Sequence, residues 1–418
     1  MNTSVTAARS ASQSSASPVF RYATRTSGFK ASAIREILRY TESPDFISFA
    51  GGLPAPELFP VEAIARASAT VLASDGPASL QYGATEGFLP LREWVCQHLS
   101  ATAELHTSPD QVIMLHGSQQ GLDLIAKVLL NPGDTVLTEN PAYLGALQAF
   151  RSYEARVVGL DSDQHGLLPD ALEHHLNGTA VLPKFLYLNP NFQNPTGTSL
   201  TQERRSAIAQ IAARHSVAVI EDDPYGELRF AGTAIPALSA IEAGHAWIYL
   251  GTFSKILAPG LRVAWMVARD RIFMDRVVTA KQATDLHTAA FNQRVIWETV
   301  RHAGMLDRHV GQLRETYSRR RAVMLSALRR HFPTDCTWTQ PDGGLFLWVT
   351  TAPGVDTLDL LQHALAQKVA FVPGAPFWVD RAVKNTLRLN FSNASEERID
   401  QGIARLGAAL AAVPAAAA

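Results

Sequence analysis

Short runs of apolar and β-branched residues alternate, between residues 111 and 267, with longer segments in which apolar residues recur at helical spacing. The short runs predict seven strands, at 112–115, 135–138, 156–159, 185–188, 217–221, 247–251 and 264–267. The longer segments include two predicted helices, at 118–130 and 201–215. Such alternation predicts an α/β fold with a mostly parallel sheet between helices. Because ligands of these sheets bind at the carboxyl ends of the strands, the residues that follow each strand are the candidates for chemistry.

The pattern changes after residue 268. Long helical stretches at 289–331 precede strand-like runs at 345–349 and 386–391, with a helix at 356–368 between these runs, which predicts a smaller α+β domain. Ahead of the sheet, residues 31–40 have a helical pattern and residues 46–49 an extended one. We therefore expect a disordered tail over 1–30, an amino-terminal segment over 31–60 that packs on the active site or the small domain, a large domain over 61–290 and a small domain over 291–418.

Composition and charge exclude several classes of function. Lys and Arg total 37 and Asp and Glu total 38, so the formal charge is −1, which argues against nucleic acid as a partner and favours small molecules or self-association. The only cysteines, Cys96 and Cys336, are too few for a disulfide framework or a thiolate metal site. No uninterrupted apolar stretch approaches the roughly 20 residues of a membrane span. We expect a cytoplasmic protein with no membrane partner and no metal.

The first 19 residues are rich in serine and alanine and lack the apolar core of a secretory signal. No acidic residue occurs between Met1 and Arg35, as in organellar transit peptides. A disordered polar tail explains the same composition.

The most informative segment follows the predicted strand at 247–251 and contains Thr252, Ser254, Lys255 and Arg262. Most loop lysines are solvated, but Lys255 stands among hydroxyl side chains at the end of a predicted buried strand. A lysine in such a place can form a Schiff base with an aldehyde cofactor. The two hydroxyls and the guanidinium can donate hydrogen bonds to a phosphate.

A second candidate for phosphate binding is the turn Gly117-Ser118-Gln119, between the predicted strand at 112–115 and the helix that follows it. The start of a helix offers unpaired backbone N–H groups to an anion. The alternative is an ordinary helix start, with a capping serine after a permissive glycine.

Polar residues also follow two other predicted strands. Asp222 comes after the strand at 217–221, where a carboxylate can keep a pyridinium nitrogen protonated and so make the ring an electron sink. Two acids before a proline also commonly form a turn or a cap. Tyr225 and Asn194 could hydrogen-bond the phenolic oxygen of the same ring, although the segment around Asn194 is also a plausible turn.

Tyr143 follows the predicted strand at 135–138 and could stack on a flat cofactor or be a core tyrosine. Arg388 lies inside the apolar run at 386–391. A buried arginine without an anion is costly, so we expect a carboxylate partner, either structural or from the substrate.

Together these residues resemble fold-type-I pyridoxal-phosphate (PLP) aminotransferases, in particular the 2-aminoadipate/kynurenine aminotransferase II-like subgroup. The resemblance covers the chain from about residue 32 to residue 410 and rests on the joint order of several motifs. These motifs are Gly51-Gly52-Leu53-Pro54, Leu80-Gln81-Tyr82-Gly83, Gly117-Ser118-Gln119-Gln120, Asn194-Pro195-Thr196-Gly197, Asp222-Asp223-Pro224-Tyr225, Ser254-Lys255 with Arg262, and Leu387-Arg388-Leu389.

The resemblance implies three catalytic residues. Lys255 would hold PLP as a Schiff base and shuttle the proton, Asp222 would pair with the pyridinium nitrogen, and Tyr143 would stack on the ring. The phenolic oxygen would be bound by Asn194 and Tyr225. The remaining cofactor contacts, all to the phosphate, would be Gly117, Ser118, Gln119, Thr252, Ser254, Arg262 and, from the neighbouring subunit of a homodimer, Tyr82. Thr252 stands where the family more usually has serine, and the hydroxyl is retained.

The resemblance also implies the substrates. Arg388 would bind the α-carboxylate, and Arg35, on a mobile helix, would meet a distal carboxylate or move aside, unless it lies on a solvated helix face. Gly52, Asn194 and Tyr82 are the other expected substrate contacts. The implied reaction moves the amino group of an L-amino acid (2-aminoadipate, glutamate, leucine-like or aromatic) to a 2-oxo acid such as 2-oxoglutarate by a ping-pong mechanism.

Two alternatives stay open. A β-lyase or a racemase would need the same Lys255 and Asp222. A sensor domain of a transcriptional regulator is less favoured, because we expect the roughly 30 residues before the recognisable fold to be too few for a winged helix.

Overall fold

The computed structural model describes residues 20–29, 37, 43 and 45–413. Of the helix predicted over 31–40 the structure describes Ile37 alone, as helical and buried. Arg35 and residues 1–19 lie outside the described residues. Within them, no helix is long and apolar enough to cross a membrane.

The strands, in chain order, are β1 (Ile47–Ser48), β2 (Val112–Leu115), β3 (Thr135–Asn140), β4 (Arg156–Asp163), β5 (Gly166–Leu167), β6 (Phe185–Leu188), β7 (Ala218–Asp222), β8 (Trp247–Thr252), β9 (Ala264–Ala268), β10 (Thr337–Trp338), β11 (Phe346–Thr350), β12 (Val369–Ala370), β13 (Val372–Pro373) and β14 (Thr386–Asn390).

The α-helices are α1 (Val61–Ser79), α2 (Leu89–Thr102), α3 (Ser118–Leu129), α4 (Leu144–Ser152), α5 (Pro169–Gly178), α6 (Gln202–Arg214), α7 (Arg271–Gln282), α8 (Ala290–Val300), α9 (Met305–His331), α10 (Thr357–Ala366) and α11 (Glu396–Ala411).

The larger sheet has eight strands in the order β2-β9-β8-β7-β6-β3-β4-β5. Strands β4, β3, β6, β7 and β8 are parallel, whereas β9 runs antiparallel to both of its neighbours. All seven predicted strands are present, and their ends differ from the prediction by up to four residues. The prediction of seven strands missed β5, which pairs antiparallel with β4. A two-residue loop, Gln164-His165, joins them, and the first residue of β5 is Gly166, whose φ of +85° suits glycine.

Helices cover both faces of this sheet. Neighbouring residues of each buried strand point to opposite sides, so an unbroken apolar strand presents apolar side chains to both faces. On one face Phe185 and Ile220 pack in the same apolar cluster as residues of α3, α4 and α7. On the other face Leu186 and Val219 share a cluster with residues of α5 and α6. The mostly parallel α/β architecture is therefore as the hydrophobic pattern predicts.

A second sheet of four antiparallel strands, β10-β11-β14-β13, lies in the carboxyl-terminal part of the chain. It places Trp348 opposite Arg388. The short strand β1 pairs in parallel with β12, which joins the residues before Gly52 to the carboxyl-terminal part. The domain boundaries at 30, 60 and 290 stay a prediction.

One buried arginine connects the loop after β6 to the sheet. Arg205 on α6 is fully buried and donates hydrogen bonds to the carbonyl oxygens of Leu200, Pro236 and Pro190, and to Asn191 Oδ1 at 2.6 Å. Its Nη1 lies 4.0 Å from Oε1 of the buried Glu221. Burial raises the pKa of Glu221, and the Arg205 charge opposes that rise.

We expect Arg205→Met to lower the free energy of unfolding by about 3 kcal/mol or more, because it leaves the Glu221 carboxylate buried without its cation. Urea unfolding of the variant and the unmodified protein measures the change. Arg214→Met is the matched control on the same helix, since its exposed pair with Glu173 should contribute less than about 1 kcal/mol. Equal effects of the two substitutions would contradict this account.

Candidate active site

A cavity of about 250 Å³ lies at the carboxyl ends of β6, β7 and β8, where a parallel sheet binds its ligands. Most of the residues that the sequence singled out line it together. They are Gly52, Ser118, Gln119, Tyr143, Asn194, Asp222, Tyr225, Thr252, Ser254, Lys255, Arg262 and Arg388.

Lys255 lies three residues after the end of β8, and its Nζ donates a hydrogen bond to the Gly52 carbonyl oxygen at 2.9 Å. Burial lowers the pKa of this amine to about 8, with further contributions from the positive charges of Arg262 and Arg388. A sizeable fraction of the amine is therefore neutral, and hence nucleophilic, near neutral pH.

Asp222 is the last residue of β7 and is buried. Its Oδ2 accepts a hydrogen bond from the Tyr187 hydroxyl at 2.8 Å. Its Oδ1 is buried and has no hydrogen-bond partner among the described residues. Burial raises the pKa of the carboxyl to about 7. A buried acceptor of this kind calls for a donor from a bound molecule, and a protonated ring nitrogen fits it.

Hydroxyl groups and a guanidinium converge at the amino terminus of α3. Thr252 Oγ1 lies 3.0 Å from Ser254 Oγ, which accepts a hydrogen bond from Arg262 Nη1 at 3.5 Å. Gly117 precedes the helix with φ of +86°, and a Cβ there would stand 2.1 Å from Arg262 Nη2. Glycine therefore lets the guanidinium approach the helix start, and the N–H groups, hydroxyls and cation together suit a phosphate.

Two tyrosines line the same cavity. Tyr143 immediately precedes α4, its hydroxyl lies 3.5 Å from Gln119 Oε1, and burial raises its pKa to about 12. Tyr225 is buried with its ring edge-on to Phe346, and burial raises its pKa as well. Both phenols therefore stay protonated across the physiological range and act as hydrogen-bond donors.

Arg388 is 1% exposed, and no carboxylate within residues 45–413 pairs with it. Its Nη1 donates to Asn194 Oδ1 at 2.7 Å and its Nη2 to the Ala50 carbonyl oxygen at 2.6 Å. The guanidinium carbon lies 4.2 Å from the centre of the Phe346 ring. Burial lowers the pKa of Arg388 to about 10. Of the two partners that the sequence left open, a structural carboxylate is absent among the described residues.

Three predicted site residues are not in the cavity wall. Gly117 stands behind it, against Arg262. Tyr82 is 78% exposed, packs edge-on against His287 and does not line the cavity. Arg35 lies outside the described residues.

Sequence reasoning missed Asn189, which also lines the cavity. Its side chain donates to the Asp222 carbonyl oxygen at 2.5 Å and accepts from the Asn194 backbone N–H at 2.8 Å. Its own N–H donates to Oε2 of Glu139. Its position directly after the buried run at 185–188 was the available signal, since a polar residue at the end of a central strand is a site candidate.

Comparisons with known proteins agree with this geometry. The family model for aminotransferase class I and II matches residues 45–406. The chain is 44% identical over 384 residues to aromatic-amino-acid aminotransferase 1 of Thermococcus litoralis, which covers 91% of each protein.

Two solved structures superpose closely. The α-aminoadipate aminotransferase LysN from Thermus thermophilus, complexed with N-(5'-phosphopyridoxyl)-L-leucine, gives a TM-score of 0.87 at 41% identity and covers 93% of this chain and 97% of that one. A kynurenine aminotransferase from Pyrococcus horikoshii, with PMP and KYN as substrates and KYA as product, gives 0.88 at 42% identity and covers 93% and 96%. The chain therefore belongs to the class I and II aminotransferase family.

Proposed function

We propose that the protein is a PLP-dependent aminotransferase that moves the amino group of an L-amino acid to a 2-oxo acid by a ping-pong mechanism. One observation carries the proposal: four chemical features line a single cavity. They are a lysine with a lowered pKa, an aspartate with a free buried oxygen, an arginine without a carboxylate partner, and a phosphate-binding cup formed by Ser118, Thr252, Ser254 and Arg262. Relatives whose names state amino acid transamination, at 41–44% identity, support it.

The residues present fit PLP. Lys255 would bind the aldehyde, the free Oδ1 of Asp222 would accept the ring N–H, and the cup at the start of α3 would hold the phosphate. Tyr143 would lie against the ring, and Asn194 and Tyr225 would reach its phenolic oxygen. When bound there, PLP supplies an electron sink for negative charge at the substrate Cα.

The chain itself supplies orientation and proton transfer. Arg388 binds the α-carboxylate, because its buried charge lacks an anion and its fork suits a bidentate contact. This places the substrate Cα beside Lys255, whose amine accepts the Cα proton at Nζ. With a pKa near 8, Nζ can both accept and return a proton at physiological pH.

The donors that we propose are 2-aminoadipate, glutamate, leucine-like and aromatic amino acids, with 2-oxoglutarate as the acceptor. Relatives named for aromatic amino acids, α-aminoadipate and kynurenine support this range. The proposed part of Arg35 is to bind a distal carboxylate or to leave room for an apolar side chain. Gly52, Asn194 and Tyr82 are the other proposed substrate contacts.

We expect 2-aminoadipate, glutamate, leucine, phenylalanine or kynurenine, added singly, to convert the absorbance of bound PLP to that of pyridoxamine phosphate. Adding 2-oxoglutarate should restore the first spectrum, because the second half-reaction reverses the first. Lys255→Ala should abolish turnover. Lys184→Ala, which removes a lysine of a surface pair with Asp134, is the control and should leave turnover unchanged. A spectrum that no amino acid converts would contradict transamination.

The rate at which the apoenzyme captures PLP should rise with pH, with a midpoint near 8 and a plateau above about 9, because only the neutral Lys255 amine attacks the aldehyde. Arg388→Gln should move the midpoint to higher pH, since removing a cation makes the protonated amine less unfavourable. Stopped-flow absorbance measures the capture rate. Arg381→Gln, which alters an exposed pair with Asp161, should leave the midpoint in place. A midpoint near 10 in the unmodified protein would refute the environment assigned to Lys255.

We further propose a cytoplasmic homodimer in which Tyr82 enters the cavity of the partner subunit. The exposed aromatic ring of Tyr82 and the neighbouring Leu80, 72% exposed, support an interface at this loop. Within its own chain, His287 supports the loop that carries Tyr82. The two rings pack edge-on, and His287 Nε2 accepts a hydrogen bond from the Gly83 N–H at 3.3 Å.

Mixed dimers test this arrangement. Lys255→Ala and Tyr82→Ala subunits should each be poorly active alone, whereas a mixed dimer has one site with both residues intact. Random mixing of equal amounts should therefore recover about a quarter of the unmodified activity, because about half of the dimers are mixed. Activity after co-refolding, compared with the two parents, is the measurement. No recovery would place Tyr82 in the site of its own chain or outside both.

A further inference from the structure

We propose that Tyr187 is a positioning residue for the cofactor ring: its hydroxyl holds Oδ2 of Asp222, so that Oδ1 alone meets the ring nitrogen and the shared proton stays on the ring. This inference rests on the proposed function, since it takes PLP as the ligand of Asp222.

The geometry follows from the register of two parallel strands. Tyr187 on β6 pairs with Ile220 on β7, and Asp222 lies two residues further along β7 on the same face. The tyrosine side chain spans this diagonal, and its hydroxyl donates to Asp222 Oδ2 at 2.8 Å.

The ring of Tyr187 is fixed independently of any ligand. Tyr187 is 1% exposed, and its ring packs edge-on against Phe150 with the ring centres 5.6 Å apart. This packing holds the hydroxyl beside Asp222 without help from a ligand. Its hydrogen bond to Oδ2 opposes rotation of the carboxylate and leaves Oδ1 for the cavity.

The hydrogen bond also sets which partner keeps the proton. Burial and the nearby Asp223 make the Asp222 carboxylate more basic, and the Tyr187 hydroxyl acts against both. The pKa of Tyr187 is raised well above 10, mainly by burial and then by Asp222, so the phenol remains a donor. Without this donor Asp222 would compete more strongly for the ring proton, and the neutral ring would be a weaker electron sink.

The test compares two cofactors in two tyrosine variants. Holoenzyme is stripped of cofactor, and the dissociation constants of PLP and of 1-deaza-PLP, which lacks the ring nitrogen, are measured for each protein. Tyr187→Phe should weaken PLP binding about tenfold, because it removes a hydrogen bond to a charged group, and should change 1-deaza-PLP binding less than about twofold.

The matched control is Tyr249→Phe. Tyr249 is also a buried tyrosine of the large sheet, and its hydroxyl donates to Oδ2 of Asp223, the residue after Asp222, at 3.2 Å. The substitution removes the same atom next to a carboxylate outside the cavity wall. Both dissociation constants should stay within about twofold of the unmodified protein.

A second background links the effect to Asp222 itself. In Asp222→Asn, adding Tyr187→Phe should cost less than about twofold in PLP affinity, because the charged acceptor is gone. With the amino acid donor varied, Tyr187→Phe alone should lower kcat about tenfold and leave the KM of the donor within about twofold, since Arg388 still binds the substrate. Melting temperatures report whether each variant is folded.

If Tyr187→Phe does not fold, 3-fluorotyrosine at position 187 replaces it. The fluorinated phenol is a stronger donor and should tighten PLP binding relative to 1-deaza-PLP. Equal loss of both cofactors in Tyr187→Phe, no loss of either, or no preference for PLP with 3-fluorotyrosine would overturn the inference. Failure of the unmodified protein to bind PLP would instead overturn the proposed function.

Discussion

One cavity is lined by two buried charged residues, Asp222 and Arg388, and by the half-buried Lys255, and none of the three pairs with an oppositely charged side chain among the described residues. Asp222, Lys255 and Arg388 each bear the desolvation that burial imposes, and each has its pKa moved toward the neutral form, to about 7, 8 and 10. Burying unpaired charge destabilises a fold, so a ligand that supplies the missing countercharges would stabilise this arrangement. The rest of the structure has to hold these groups apart and keep them unneutralised.

The fold does so with neutral hydrogen-bonding groups. The Asn189 side chain connects Asp222 to the Asn194 backbone, and Asn194 in turn accepts a hydrogen bond from Arg388. The Gly52 carbonyl oxygen accepts from Lys255, and Tyr187 donates to Asp222. Amides, carbonyls and phenols orient the charged side chains by hydrogen bonds without neutralising their charges. Where charges are paired in the interior, as in Arg205 and Glu221, the pair lies outside the cavity wall and serves the scaffold.

The sequence predicted the central strands well because their residues are buried on both faces and form unbroken apolar runs, as at 185–188. It predicted most cavity residues for a related reason, since the ends of such strands are where polar residues stand out. Tyr187 escaped notice because it lies inside an apolar run, where a tyrosine is an ordinary core residue. Its contact with Asp222 becomes visible only from the cross-strand register, which places the two residues diagonally opposite each other. The role of Tyr82 cannot be read from one chain, because its side chain is exposed and does not line the cavity.

The site also depends on two separate sheets. Asp222 ends a strand of the large sheet and Lys255 follows one closely, whereas Arg388 lies in the middle of β14, where it faces Trp348 across the small sheet. The segment from β1 to Gly52 bridges them: β1 pairs with β12, the Ala50 carbonyl oxygen accepts from Arg388, and the Gly52 carbonyl oxygen accepts from Lys255. The separation of the Arg388 guanidinium from the Lys255 amine therefore depends on how this segment packs the small sheet against the large one. Because the Ala50 and Gly52 carbonyl oxygens are two residues apart on this segment, a shift of the segment would displace the hydrogen-bond acceptors of the arginine and the lysine together.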